Sequence, residues 1–151
     1  MEKLTHIDEQ GRANMVDVGG KFMQRRQAIA TGTISLSERA RGLIGKNQIK
    51  KGDAMTVAKI AGIQAAKQTA NLIPLCHPLQ IDKIEVDLNL TEQGLTAQSV
   101  VRCVGRTGVE MEALTAVSVA LLTVYDMCKA IDKEMEISGI HLLCKVKEDV
   151  Q

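Results

Sequence analysis

Aromatic side chains are nearly missing from this chain. Phe22 and Tyr125 are the only two among 151 residues, and there is no Trp. Readers of single-stranded nucleic acid stack bases on several aromatic platforms, so that class has little support. The core must be aliphatic, with methionine filling gaps. An excess of one charge is also missing: 19 Lys and Arg face 18 Asp and Glu. No bulk field draws the protein to nucleic acid or to an anionic membrane, and a basic site must be a local cluster. None of the four cysteines, Cys76, Cys103, Cys128 and Cys144, forms a C-x-x-C pair. The first ten residues, MEKLTHIDEQ, are too charged for a signal peptide. A reduced, cytoplasmic setting is expected. Cys103, Cys128 and Cys144 lie in apolar runs and read as small buried hydrophobes. Lys59, Lys67, Asp126 and Lys129 break the longest apolar runs short of the ~20 residues of a membrane span. Neither a nucleic-acid nor a membrane partner is expected. With 45% apolar and 25% charged residues, residues 1–151 read as a single globular domain, its first 21 residues an arm.

Periodicity orders the elements. Residues 26–36 alternate with period two and predict a strand, with Gly32 a weak point or a close approach. Ser37 caps a short helix over 38–44 that Gly45 ends. Asp53 caps a helix running to about Thr69, and its small residues Ala61, Gly62, Ala65 and Ala66 permit close packing. Both prolines, Pro74 and Pro78, fall in 71–80, which predicts an irregular loop. Residues 81–91 and 95–104 predict strands joined at Glu92-Gln93-Gly94. A helix over 109–131 and a strand over 135–145 follow. The order β-α-α-β-β-α-β gives an α+β, ferredoxin-like split βαβ with an antiparallel sheet and helices on one face. The long helix is apolar around most of its circumference, so a second subunit is expected to cover what the sheet does not.

Four clusters could carry chemistry. Lys50-Lys51-Gly52-Asp53 opens a helix, where free N–H groups and lysines can bind phosphate, or where Asp53 simply caps. Gly105-Arg106-Thr107-Gly108 allows close backbone approach and an arginine clamp, with Glu110 and Glu112 behind it. Those acids could equally serve the helix dipole. Pro74-Leu75-Cys76-His77-Pro78 is a stiff loop. Adjacent Cys and His make poor zinc geometry, and neighbouring side chains on extended backbone point apart. His77 as a hydrogen-bond donor or acid/base group competes with a structural histidine. Finally, Thr115, Ser118, Leu122, Asp126 and Lys129 form one stripe on the long helix. Asp126 and Lys129 on a mostly buried helix suggest a proton-transfer pair or a structural ion pair. Glu112 and Asp126 are separated by roughly 21 Å along the helix axis, so one compact site cannot easily hold both. A long ligand, or sites shared between subunits, would reconcile them.

Several strings together resemble one family. They are Leu4-Thr5-His6-Ile7, Met15-Val16-Asp17-Val18, Lys51-Gly52-Asp53, Ala61-Gly62-Ile63-Gln64-Ala65-Ala66-Lys67, Leu72-Ile73-Pro74-Leu75-Cys76-His77-Pro78-Leu79, Thr107-Gly108-Val109-Glu110-Met111-Glu112-Ala113-Leu114-Thr115-Ala116 and Tyr125-Asp126-Met127-Cys128-Lys129-Ala130. In this order, over nearly the whole chain, they resemble the cyclic pyranopterin monophosphate synthases of molybdenum cofactor biosynthesis. The resemblance implies conversion of a cyclised dihydro-GTP intermediate to cyclic pyranopterin monophosphate, with release of pyrophosphate. It implies a homohexamer, a trimer of dimers, with sites at subunit interfaces. By motif, Asp126 is implied as catalytic, with Lys51 and Lys129. Leu75, Cys76, His77, Glu110, Met111 and Glu112, together with Arg26 and Lys145, are implied to bind substrate. One departure stands out. Where relatives often carry a Lys-Ser-Gly-Gly tail, Lys145 is followed here by Val146-Lys147-Glu148-Asp149.

The implied chemistry moves protons and a phosphoryl bond but no hydride. No resident cofactor or metal site is expected; Mg2+ could accompany the triphosphate, although no carboxylate cage is evident for it. Asp126, Lys129 and Lys51 would be the acid/base groups. His77 and Arg26 would bind phosphate, and Glu112 and the main chain at Met111 would hold the purine-derived ring. A non-catalytic ligand-binding module of the same fold is the alternative.

Overall fold

A computed structural model of the chain describes residues 5–150; positions 1–4 of the expected arm lie outside them. The elements are β1 (Gln24–Ser35), α1 (Glu38–Gly45), α2 (Ala54–Lys67), α3 (Thr69–Leu72), β2 (Ile81–Leu90), β3 (Gly94–Gly105), α4 (Glu110–Cys128) and β4 (Ile137–Asp149). The strands form one antiparallel sheet in the order β2-β3-β1-β4. This is the expected α+β, split βαβ arrangement, with α2 and α4 side by side on one face.

Period-two alternation builds the buried face. Ala28, Ala30 and Ile34 of β1 and Leu95, Ala97, Val101 and Cys103 of β3 point under the helices and are sealed from solvent. Small residues let α4 come close. A Cβ on Gly32 would lie 2.8 Å from Ile140 and 3.0 Å from Leu121 and Val117. A Cβ on Gly62 would lie 2.9 Å from the carbonyl oxygen of Ala116, which sets the α2–α4 spacing. Ser99 is the polar point in this layer, and its hydroxyl donates to the Ala113 carbonyl at 2.7 Å.

The structure corrects several boundaries. The loop expected at 71–80 starts later, because Asn71 and Leu72 complete α3. Helix α1 runs through Gly45, and Asn47, with φ 54°, is the left-handed residue beyond it. Helix α4 stops at Cys128, with Lys129 as its C-cap. Strand β4 extends to Asp149, so Lys145 sits inside a strand opposite Ala28. Strand β2 carries an extra residue near Asp82: Ile81 pairs with Cys103, and Lys83 with Arg102. The extra residue lets Ile81 and Ile84 share one face although they are three apart. Cys144 is exposed, against its expected burial.

The end of α4 is tied to α1 through Asp132, which is 7% exposed. Its carboxylate accepts the Ser37 N–H at 2.7 Å and the Glu134 N–H at 3.1 Å. Burial pushes this carboxyl up, but those N–H bonds outweigh it and hold the group below 3.8. By length and hydropathy alone α4 could span a membrane. Here nine of its 19 residues are packed inside the protein, against the sheet and α2.

Candidate active site

Helix α4 carries a cluster at each end. At its C-terminal end Asp126 stands between two lysines. Lys51 Nζ is 2.9 Å from Oδ2 and Lys129 Nζ is 3.0 Å from Oδ1. Lys51 also donates to the Asp126 carbonyl at 3.2 Å. The loop ahead of α2 delivers Lys51. Gly52 takes φ 116°, and Asp53 then caps α2 by accepting from the Thr56 N–H at 3.1 Å and its hydroxyl at 2.6 Å. That helix N-terminus is therefore filled by its own aspartate, and Lys51 serves Asp126 instead of a phosphate at the helix end.

These three groups are not buried within the protomer, contrary to the expectation for this stripe. Their side chains are 48% (Lys51), 56% (Asp126) and 59% (Lys129) exposed. Hydrogen bonds from Lys51 and then Lys129 lower the Asp126 pKa below 3.8. The cluster is an ionised carboxylate flanked by two ammonium donors, open to whatever covers it. Leu122 and Tyr125 of α4, with Val57 and Ile60 of α2, are exposed apolar side chains on the same two helices.

The N-terminal end of α4 forms a cavity of about 250 Å³. Leu75, Cys76, His77, Glu110, Met111 and Glu112, expected together from sequence, all line it. Arg26 and Lys145 line an adjoining groove that shares Gly108 and Glu110 with this cavity. Lys145 Nζ lies 3.8 Å from Glu110. A side chain at Gly108 would displace the Glu110 carboxylate folded over it. A larger cavity, about 520 Å³, lies on the outer face of the sheet, but Arg26 is its only expected site residue. Convergence of chemical groups favours the smaller one.

Electrostatics differ sharply between the two ends. Glu112 is 4% exposed. Burial raises its pKa, and the nearby Glu110 adds to the effect. Burial and then Glu112 push the Cys76 thiol up, and Cys103 is raised to about 11 by burial first. Cys76 is thus held as a thiol, which disfavours a nucleophilic role. His77 Nε2 lies 2.6 Å from the Val16 carbonyl, so that nitrogen carries a proton and donates it. Arg106, expected as an oxyanion clamp, instead donates from Nε to the Lys21 carbonyl at 3.2 Å. Among the described residues no three His, Cys, Asp or Glu side chains gather as a metal site.

Sequence reasoning missed the arm's part in the cavity wall. Thr5, His6, Val16, Val18 and Lys21 all face it. The family-like strings around Thr5 and Val16 were the available signal, but they show no periodicity from which a position could be argued.

Residues 15–148 match the profile of the MoaC family. The chain belongs to the MoaC family. Three relatives illustrate the likeness. A cyclic pyranopterin monophosphate synthase of Chloroflexus aggregans is 51% identical over 147 residues, spanning 96% of this chain and 89% of its own. One from Cereibacter sphaeroides is 52% identical over 147 residues, 96% of this chain and 92% of its own. Molybdenum cofactor biosynthesis protein 1 of Drosophila melanogaster is 54% identical over 145 residues, 95% of this chain but only 26% of that longer protein. This MoaC-family chain thus matches the full bacterial proteins along most of their length and one part of the fly protein.

Proposed function

We propose that this chain is a cyclic pyranopterin monophosphate synthase acting in molybdenum cofactor biosynthesis. Its substrate is the cyclised dihydro-GTP intermediate, and its products are cyclic pyranopterin monophosphate and pyrophosphate. It is a lyase of the cytoplasm with no resident cofactor, although Mg2+ can accompany the triphosphate. The observation that carries this reading is the carboxylate of Asp126 held between Lys51 and Lys129.

The reaction opens one ring, closes another and joins a ribose-derived oxygen to the α-phosphorus. As that bond forms, the bond from the α-phosphorus to the bridging oxygen breaks and pyrophosphate leaves. The attacking hydroxyl gives up its proton, and the opening ring takes one. Lys51 and Lys129 are the donors. Asp126, ionised in the free protein, holds both ammonium groups in place and takes up the proton that the attacking hydroxyl releases. Arg26 and Lys145 bind the triphosphate and stabilise the charge on departing pyrophosphate. His77 borders the cavity in which Glu112 and the Met111 main chain hydrogen-bond the guanine-derived ring.

The sixteen steps from Glu110 to Asp126 span about 24 Å of helix. The acid/base cluster and the binding cavity of one protomer therefore belong to different sites. A second copy seated on the exposed apolar side chains of α2 and α4 would bring its own acid/base cluster to this cavity. A homohexamer built as a trimer of dimers provides that arrangement and buries the half-exposed charges.

The test is to supply the purified protein with the cyclised intermediate and follow pyrophosphate. Stoichiometric pyrophosphate and pterin are expected. Tight binding of the intermediate without turnover would reduce the protein to a ligand-binding module and overturn the proposal.

A further inference from the structure

The arm closes on itself more than on the rest of the protein. The Asn14 N–H donates to the His6 carbonyl at 2.9 Å, around a turn in which Asp8 accepts the Gln10 and Arg12 N–H groups. The Lys21 N–H donates to the Val18 carbonyl at 3.0 Å, and the Gly19 N–H to Asp17 at 2.8 Å. No residue from 5 to 23 is buried. Asp8, Val16 and Val18 are half-buried, while Ile7, Met15, Phe22 and Met23 stand exposed. Among the described residues two hydrogen bonds, and no ion pair, join this segment to the remaining fold. His77 Nε2 donates to the Val16 carbonyl at 2.6 Å, and Arg106 Nε donates to the Lys21 carbonyl at 3.2 Å. The ladder of β1 starts directly afterwards, with Gln24 opposite Gly105 and Asp149.

This loosely held segment is nevertheless one wall of the ring cavity. Glu112 lines the same cavity and is sealed from bulk water. A ring that reaches Glu112 needs a wall that gives way. The first turn of α4 is another wall, and that helix packs on the sheet and on α2. The arm, with no buried side chain, opens at far lower cost.

We infer that residues 5–23 are a door on the ring cavity, hinged at Phe22-Met23 and latched by Arg106, which is therefore a positioning residue. The inference rests on the activity proposed above for the ring that enters, but not for the motion. Arg106 is well placed as a latch. It precedes Thr107 and Gly108 of the cavity wall, and its own carbonyl accepts Arg26 Nη2 at 3.3 Å. Its side chain thus ties the arm to the opposite rim. Closed, the door keeps water from the ring while protons move.

Trypsin reads the latch in the free, assembled protein, because the carbonyl that accepts Arg106 belongs to the Lys21–Phe22 bond that trypsin cuts. Cleavage of a briefly opened segment follows its open population. Arg106→Ala keeps the main-chain carbonyl that holds Arg26 and loses only the latch. It should lose the arm about five- to tenfold faster, as expected for one hydrogen bond from a charged donor. Arg106→Lys should recover most of the protection. Arg12→Ala, which breaks an ion pair inside the arm (2.8 Å to Asp8) and no bond to the body, should match the parent. With the cyclised intermediate, Arg106→Ala should show KM raised about three- to tenfold and kcat within about twofold. Parent-like cleavage in Arg106→Ala, or equal acceleration in Arg12→Ala, would overturn the latch. Faster cleavage with an unchanged KM would overturn the door. Faster cleavage of Arg106→Ala in a protein that makes no pterin would sink the proposed activity and leave the latch standing. Normal turnover of the parent with parent-like cleavage of Arg106→Ala would sink this inference alone. Circular dichroism checks that each variant folds.

Discussion

Lys51 and Asp126 are 75 residues apart in the chain, yet Lys51 Nζ lies 2.9 Å from Asp126 Oδ2. The loop before α2 and the last turn of α4 make this contact, and Lys129 closes on the other carboxylate oxygen. A carboxylate with an ammonium on each oxygen stays ionised to lower pH than a free one. Its lowered pKa means the ion pairs are intact above 3.8 and are lost only as pH falls through the depressed value.

Asp126→Asn separates chemistry from folding. Within the protomer these pairs are half-exposed and contribute little to its stability, so the fold of each chain, read by circular dichroism, should match the parent protein. Pyrophosphate release should fall by about 100- to 10,000-fold, the usual worth of a positioned acid/base group. Lys51→Ala should behave the same way. Parent-like turnover in either variant would remove that residue from the mechanism.

Glu112 gives a pH signature of the opposite sign. Burial raises its pKa above 4.5, so the folded state binds its proton more tightly than the unfolded chain does. That favours folding at low pH. The advantage begins to fade near 4.5 and is gone once pH passes the raised value. Glu112→Gln removes the penalty of burying the charge. The variant should melt above the parent at pH 8, with the gap closing toward pH 4.5. Thermal melts across that range check it. A gap that does not change with pH would show that Glu112 ionises as freely folded as unfolded.

Gly62 tests the spacing of α2 and α4. Replacing it with alanine gains about 1 kcal/mol of helix propensity. The new Cβ would sit 2.9 Å from the Ala116 carbonyl and 3.2 Å from Val86. Overpacking against a backbone atom costs about 1–3 kcal/mol. The net effect should be destabilising by about 1 kcal/mol in urea unfolding, where an exposed helical glycine would give the reverse. Activity should fall too, because α2 and α4 together position Lys51 and Asp126.

Sheet order and the main elements were legible because each rests on a strong local signal, and six residues of the N-terminal cavity were grouped by the family resemblance. Period-two alternation wrote β1 and β3, and the Pro-Leu-Cys-His-Pro and Val-Glu-Met-Glu strings marked the cavity wall. The burial of Asp126 was misread for a physical reason. An all-round apolar helix shows that every face needs cover, but not whether the cover comes from this chain or another. Strand β4 was cut short because Lys145-Val146-Lys147-Glu148 lacks an apolar face. As an edge strand it is held by main-chain bonds to β1, which need no such face. The arm's place in the cavity wall escaped notice because its hold depends on two side-chain-to-carbonyl bonds, His77 to Val16 and Arg106 to Lys21, between residues 61 and 85 positions apart.

The account turns on one site being assembled from opposite ends of α4 in two copies of the chain. Differently tagged Asp126→Ala and Glu112→Ala chains can be coexpressed, purified through both tags and assayed for pyrophosphate release from the cyclised intermediate. Each variant alone should be inactive, and the mixed oligomer should regain activity because some of its interfaces join two intact halves. A mixed oligomer as inactive as its parents, or a fully active monomer of the unmodified chain, would contradict the shared site.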